Sequence, residues 1–260
     1  MQMILYNQYR KNKGGTAMRV TDHVYVLSGG CYAAVNDNAV LGEVYGVRSP
    51  KGMILIDCGP EKTGLACIRE ALDYYGISDP ITHVLLTHGH WDHCGSAAEL
   101  QREGAKIVVG AEDTVACVNS GNRNPDNARI DGEPPFPGFI PDMEIKEDCV
   151  IEADGISFEY IKIPGHTAGS AAIKLIIDGK TILFTGDALQ PGGRMLGDVS
   201  FGWEGDATFC KNDIVKSMQK LKNQQADILL PGHGRICLRN GTRMLRFAAE
   251  VVEEKLKIGS

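Results

Sequence analysis

Short apolar runs, broken by glycine, proline and aspartate, dominate the N-terminal part of the chain. "HVYVLSG" (23–29), "AVLGEVYGVRS" (39–49) and "GMILIDCG" (52–59) are rich in β-branched and aliphatic residues and predict strands. The period then changes. Leu65, Ile68, Leu72 and Tyr75 recur at helical spacing and Gly76 follows as a stop, which predicts a helix over 62–76. "THVLLT" (82–87) and "AKIVVG" (105–110) predict two more strands. Between them, Ser96 and Glu99 have the spacing of a capping box that opens a helix over 96–104. Residues 119–142 hold five of the eleven prolines, show no period and predict a long loop. "CVIEADGISFEYIKIPG" and "SAAIKLIIDGKTILFTGD" return to strand character, with Asp178-Gly179 as a hairpin turn. A second loop over 188–207, a helix over 212–223, a strand in "ADILLPGHG" and a helix over 242–257 complete the pattern. "MILIDCG" (53–59) and "TILFTGD" (181–187) echo each other, which suggests two related β-rich halves with helices outside.

Composition narrows the class. A chain of 260 residues, 43% hydrophobic and 23% charged, can bury a substantial core. Residues 1–17 are expected to form a loose extension and 18–260 a single domain. The net charge is -6, and the longest basic cluster is Arg10, Lys11 and Lys13, so nucleic acid is not an expected partner. No apolar run reaches the ~18 residues of a membrane span, so no membrane partner is expected either. The N-terminal stretch has no signal-peptide pattern. The eight cysteines are scattered without a CxxC pair, as expected of free thiols in a reducing cytoplasm.

Candidate chemistry concentrates in "LLTHGHWDHCG" (85–95), which packs three of the seven histidines and an aspartate after an apolar strand. His88 and His90 share a face in extended backbone, because side chains alternate with period two. Asp92 and His93 are adjacent and can point to different sides of a turn. One loop can therefore offer two ligands to each of two places. Burying so many polar rings without a metal would leave donors and acceptors short of partners. His166 in "KIPGHTAGS", Asp187 in "ILFTGDAL" and His233 in "ILLPGHG" each follow an apolar run beside glycine, where strand ends build sites. Nitrogen and carboxylate ligands without thiolate suit zinc first, and also iron or manganese.

"THGHWDHCG", "PGHTAGS", "TGDAL" and "LPGHG", in that order, resemble the HxHxDH-H-D-H pattern of the metallo-β-lactamase superfamily, and "LIDCG" (55–59) resembles its strand-ending aspartate motif. The resemblance covers about residues 19–240. It implies an α+β fold, a four-layer αββα sandwich with the site at one edge. It implies two divalent metal ions. His88, His90 and His166 would bind the first, and Asp92, His93 and His233 the second. Asp187 would bridge the two and Asp57 would orient a ligand histidine. The implied reaction is hydrolysis of a small ester, thioester or lactone by a metal-bridging hydroxide, with Asp92 holding the nucleophile and aiding proton transfer.

Particular positions separate branches of the family. Relatives that open β-lactams commonly lack the bridging aspartate, whereas this chain has Asp187. Acyl-homoserine lactonases carry a tyrosine soon after it, where this chain has Ala188, Leu189 and Gln190. Glyoxalase II carries a helical glutathione-binding domain after the last histidine, where this sequence has room for one helix. A mononuclear iron oxygenase of the persulfide dioxygenase type is the alternative on the same ligand set; a β-lactamase or phosphodiesterase ranks below it. Arg194, Phe201 and Trp203 are candidates to line the substrate pocket, with Arg194 meeting an anionic group. Phe136 and Phe139 are candidates for an apolar lid. Cys94 and His83 are expected to be structural, and His23 to lie at the surface.

Overall fold

The structure is a computed structural model and describes residues 18–29, 42–118, 136–191 and 199–258. Its strands fall into two main sheets. The first runs β1 (Met18–Arg19), β2 (Val24–Ser28), β3 (Val44–Arg48), β4 (Met53–Ile56), β5 (Ile81–Leu85), β6 (Lys106–Gly110) and β7 (Met143–Ile145), in that spatial order. β1 to β4 are antiparallel, and β4 to β7 are parallel. The second contains β8 (Cys149–Ala153), β9 (Ile156–Lys162), β10 (Ala171–Ile177), β11 (Lys180–Gly186) and β14 (Ile228–Pro231), ordered β14-β11-β10-β9-β8. β12 (Gln190–Pro191) and β13 (Val199–Ser200) form a small ribbon. The echo between the halves is structural: β4 and β11 each lie between an antiparallel hairpin partner and a parallel strand, β3 and β5 for one, β10 and β14 for the other.

Strand alternation sorts the apolar residues into three cores. Ile54 and Ile56 of β4 join Val24 and Val26 of β2, and face Phe158, Ile173 and Phe184 from the other sheet. Met53 and Leu55 point the other way, onto Leu65, Ile68 and Leu72 of α1 (Thr63–Tyr74) and Ala97 and Leu100 of α3 (Ala97–Arg102). Ala172 of β10 and Leu183 of β11 face Ile214, Met218 and Leu221 of α5 (Lys211–Lys222) and Leu245, Ala248 and Val252 of α6 (Gly241–Ile258). Helix, sheet, sheet and helix thus form four layers, an αββα sandwich. No helix among the described residues is long and apolar enough to cross a membrane.

Several local expectations change. Asp92 and His93 sit not in a bare turn but in a single helical turn, α2 (Trp91–Cys94). Ser96 has helical backbone angles and makes no side-chain cap; its hydroxyl donates to the Pro60 carbonyl at 2.8 Å, a tertiary partner that displaces the local one. Phe136 and Phe139 are buried in the core beside α1 and α3 instead of forming a lid. A short helix not foreseen, α4 (Thr114–Val118), precedes the Pro-rich segment, of which residues 119–135 lie outside the described residues. The proposed extension over 1–17 also lies outside them.

Candidate metal centre

The ligand-type side chains come from the C-terminal ends of strands in both sheets. His88 and His90 follow β5; Asp92 and His93 lie on α2; His166 follows β9; Asp187 follows β11; His233 follows β14. At this rim the sheets are stitched together. The Ala171 amide donates to the Thr87 carbonyl and the Glu43 amide to the Gly232 carbonyl. Gly232 is required here, because a Cβ on it would lie 2.2 Å from Asp187 Oδ1.

Two groups form. His90 Nδ1 lies 3.1 Å from His88 Nε2 and 3.0 Å from His166 Nε2, so three ring nitrogens converge. In the second group His233 Nε2 is 3.0 Å from Asp92 Oδ2 and 3.3 Å from His93 Nε2. Asp187 lies between them: Oδ2 is 3.6 Å from His166 Nε2 and 3.3 Å from His233 Nε2, and Oδ1 is 3.3 Å from His93 Nε2. His88, Asp92, His93, His166 and Asp187 are buried; His90 and His233 are partly so.

The partners behind the rings decide which nitrogen faces inward. Asp57 sits at the end of β4 with φ of 59°, and its Oδ2 lies 2.8 Å from His93 Nδ1. A carboxylate only accepts, so His93 carries a proton on Nδ1, and its neutral form aims a bare Nε2 at the centre. Burial disfavours charge on this ring, but Asp92, Asp187 and Asp57 outweigh it and hold its pKa well above the usual imidazole range. The Thr87 hydroxyl donates to the same oxygen at 2.8 Å and therefore accepts from His88 Nδ1 at 3.0 Å, again leaving Nε2 bare. Burial, helped by the charges of neighbouring histidines, pushes His88 well below the usual imidazole range and His166 down to about 3. Burial also disfavours charge on His233, but Asp187 and Asp92 outweigh it and hold that ring up at about 10. Asp187 is likewise drawn well below the carboxylate range, against its burial, by His233 and His93.

This donor set fits a divalent cation. Three ring nitrogens that face one another cannot all be satisfied by protons. Asp187 Oδ1 is buried with no hydrogen-bond donor in good geometry. The atoms of His88, His90 and His166, of His88, His93 and Asp187, and of Asp92, His93 and His233 each lie within 4.8 Å of one another, so each group can hold a metal ion. Cys94 is not turned toward the centre; its thiol donates to the Gly89 carbonyl.

Among the remaining candidates, Trp203 lies at the site, 39% exposed, with its ring 6.0 Å from that of His90. Phe201 is instead buried and stacks on Phe209. Arg194 lies outside the described residues. His83 is half-buried near Asp154, and His23 is half-exposed beside Asp178. Two carboxylates at the site escaped the sequence reading. Asp206 Oδ2 lies 3.0 Å from His90 Nε2. Asp113, itself buried, accepts from the amides of Gly89 and Gly169 and from the Thr167 hydroxyl, tying the His88–His90 loop to the His166 loop.

Comparison with known proteins agrees with this geometry. Residues 38–233 match the model of the metallo-beta-lactamase superfamily. Hydroxyacylglutathione hydrolase GloC of Haemophilus influenzae is 31% identical over 185 residues, 71% of this chain and 81% of that protein. A hydroxyacylglutathione hydrolase of Pseudomonas putida KT2440 is 30% identical over 138 residues, 53% of this chain and 41% of that protein. The structure of BJP-1, a subclass B3 metallo-beta-lactamase of Bradyrhizobium japonicum, shares the fold with a TM-score of 0.70 at 21% identity, covering 94% of this chain and 93% of that one. Family match, relatives and the His/Asp centre together show that the chain belongs to the metallo-β-lactamase superfamily and is a metal-dependent hydrolase.

Proposed function

We propose that this enzyme is a dinuclear hydrolase of a small-molecule ester, thioester or lactone, with zinc the first candidate metal and a thioester the first candidate substrate. The observation that carries it is Asp187, whose carboxylate reaches both groups of ligand-type side chains at once. The kinship with hydroxyacylglutathione hydrolases puts the thioester ahead of the other two bonds. His88, His90 and His166 would hold one ion, Asp92, His93 and His233 the other, and Asp187 both. Bound ions would supply Lewis acidity toward the carbonyl oxygen and lower the pKa of water. Asp92, whose Oδ2 lies 3.0 Å from His233 Nε2, would orient the attacking water and aid proton transfer. Trp203 offers an apolar wall beside His90 for the body of the substrate.

The test is a panel of thioesters, lactones, phosphodiesters and β-lactams, run on protein whose metal content has been measured. Two metal ions per chain and turnover of a thioester or lactone support the proposal. Asp187→Ala is expected to lower metal content and to reduce turnover by about 100-fold or more, since even residues behind ligands typically cost 10–100-fold. Unchanged metal content and turnover in that variant overturn the bridging role. The three-histidine group can by itself hold a single ion, which favours one other reading, an iron oxygenase. One iron per chain with oxygen uptake would establish that reading in place of the hydrolase.

A further inference from the structure

We infer that Asp206 is a positioning residue of the metal centre, which locks His90 in the tautomer whose bare Nδ1 faces His88 and His166. The inference rests on the metal-centre reading above and extends it to a residue outside the ligand motifs. His90 is the one ring in its group that points inward through Nδ1, 3.1 Å and 3.0 Å from its two partners. Its outward nitrogen, Nε2, lies 3.0 Å from Asp206 Oδ2. A carboxylate has no proton to give, so Nε2 carries the hydrogen, and the neutral ring, the form that can ligate, then has its bare nitrogen at Nδ1. Asp57 serves His93 and, through Thr87, His88 in the same way. Asp206 therefore does for His90 what Asp57 does for His93.

The carboxylate is itself held. Asp206 Oδ1 accepts from the Thr208 amide at 2.7 Å and from its hydroxyl at 2.6 Å. The same hydroxyl oxygen accepts from the Ala168 amide at 2.9 Å, two residues beyond His166. The Cys210 amide donates to the Gly165 carbonyl, one residue before His166. At the other end of the segment, Gly202 has φ of +84°, and a Cβ there would lie 2.5 Å from His166 Nδ1. Residues 202–210 thus form a clasp over the outer edges of His90 and His166, pinned on both sides of His166. The His90–Asp206 pair is shielded, with side chains 12% and 19% exposed, so water competes poorly for either partner.

The experiment compares the wild-type protein with Asp206→Ala, Asp206→Asn and Thr208→Val. Zinc affinity is measured by competition with a chromophoric chelator. The His90 tautomer is read in the metal-free protein from long-range proton–nitrogen NMR correlations. Asp206→Ala is expected to weaken one zinc equivalent by about 10–100-fold and to turn His90 from a single Nε2–H tautomer into a mixture. Asp206→Asn, whose carbonyl still accepts from Nε2–H, is expected to recover most of both. Thr208→Val, which loosens the carboxylate without removing it, is expected to give a smaller loss in the same direction, and serves if the alanine variant does not fold. Wild-type zinc affinity in both Asp206→Ala and Thr208→Val, or a loss of affinity with the tautomer unchanged, overturns the assignment. Wild-type protein that takes up no zinc, iron or manganese overturns the metal-centre reading itself, and this assignment with it.

Discussion

Asp57 shows how one residue can set two histidines. Its backbone is left-handed, with φ of 59°, a conformation that costs a non-glycine residue on the order of 1–3 kcal/mol. Against this, its buried carboxylate accepts from the Thr87 amide, the Thr87 hydroxyl and the His93 ring, and bonds to a charged group contribute about 1.5–3 kcal/mol each. The bonds outweigh the strain, which yields a prediction. Asp57→Gly relieves the backbone but strands three buried donors, and should lower unfolding stability in urea by about 3–5 kcal/mol. Asp57→Asn tolerates the same backbone but brings a donor where acceptors are needed, and should cost about 1–3 kcal/mol. A glycine variant as stable as the wild type would mean that strain, not bonding, governs the position. The contrast with Asp206 and Asp113 explains what the sequence concealed. Asp57 ends an apolar strand in a recognisable motif. Asp206 and Asp113 sit in irregular or newly helical segments, and their partners are a distant ring, distant backbone amides and a distant hydroxyl that only the fold brings near.

At the scale of elements, turn chemistry was legible and docking was not. Asp178-Gly179 has φ of 54° and 67°, the two left-handed residues that a tight hairpin needs, and Asp154-Gly155 repeats the pattern with 52° and 82°. Nothing local shows that both aspartates also reach the other sheet. Asp178 accepts from the His23 amide at 2.9 Å and lies 2.6 Å from its ring, while Asp154 accepts from the hydroxyls of Thr82 and Ser49. The Ser96 misreading has the same origin, a sound local motif overruled by a tertiary acceptor. The hairpin carries a pH signature. Partial burial disfavours the Asp178 carboxylate, but hydrogen bonds from residues 21 and 23 outweigh it and hold its pKa below the usual value. A carboxyl depressed in the folded state stabilises above its unfolded pKa of about 3.9 and loses that contribution as pH falls through the folded value. Asp178→Asn, which keeps the turn but not the charge, should therefore cost about 0.5–1 kcal/mol at pH 7, with the gap to wild type closing in unfolding curves recorded below pH 3. A gap that persists undiminished in acid would assign the effect to the turn and not to the charge.

For the whole molecule, the apolar pattern made the strands plain but left the sandwich to the family resemblance, because β4 is apolar on both faces and gives no sign of which face meets a helix and which meets the other sheet. Two tyrosines show how the sheets are registered. Tyr45, on β3 of the first sheet, donates to the Pro231 carbonyl of the second at 2.6 Å, two residues before His233. Tyr160, on β9 of the second sheet, donates to the Leu86 carbonyl of the first at 3.0 Å, two residues before His88. Each sheet thus grips, from across the core, the strand end of the other that delivers a histidine. Burial, reinforced by the carboxylates of Asp113 and Asp57, pushes the Tyr160 phenol well above its usual range, so it remains a donor. Tyr→Phe at either position keeps the packing and leaves one buried carbonyl with a lost partner, which should cost about 1–3 kcal/mol in denaturant unfolding. If the bonds also set the rim, each variant should weaken zinc binding, because the strand ends they hold carry His88 and His233, which belong to different groups of ligand-type side chains. Full zinc affinity in a measurably destabilised Tyr160→Phe protein would confine that tyrosine to holding the sheets together. Loss of both would show that the inter-sheet core and the metal centre are built as one unit.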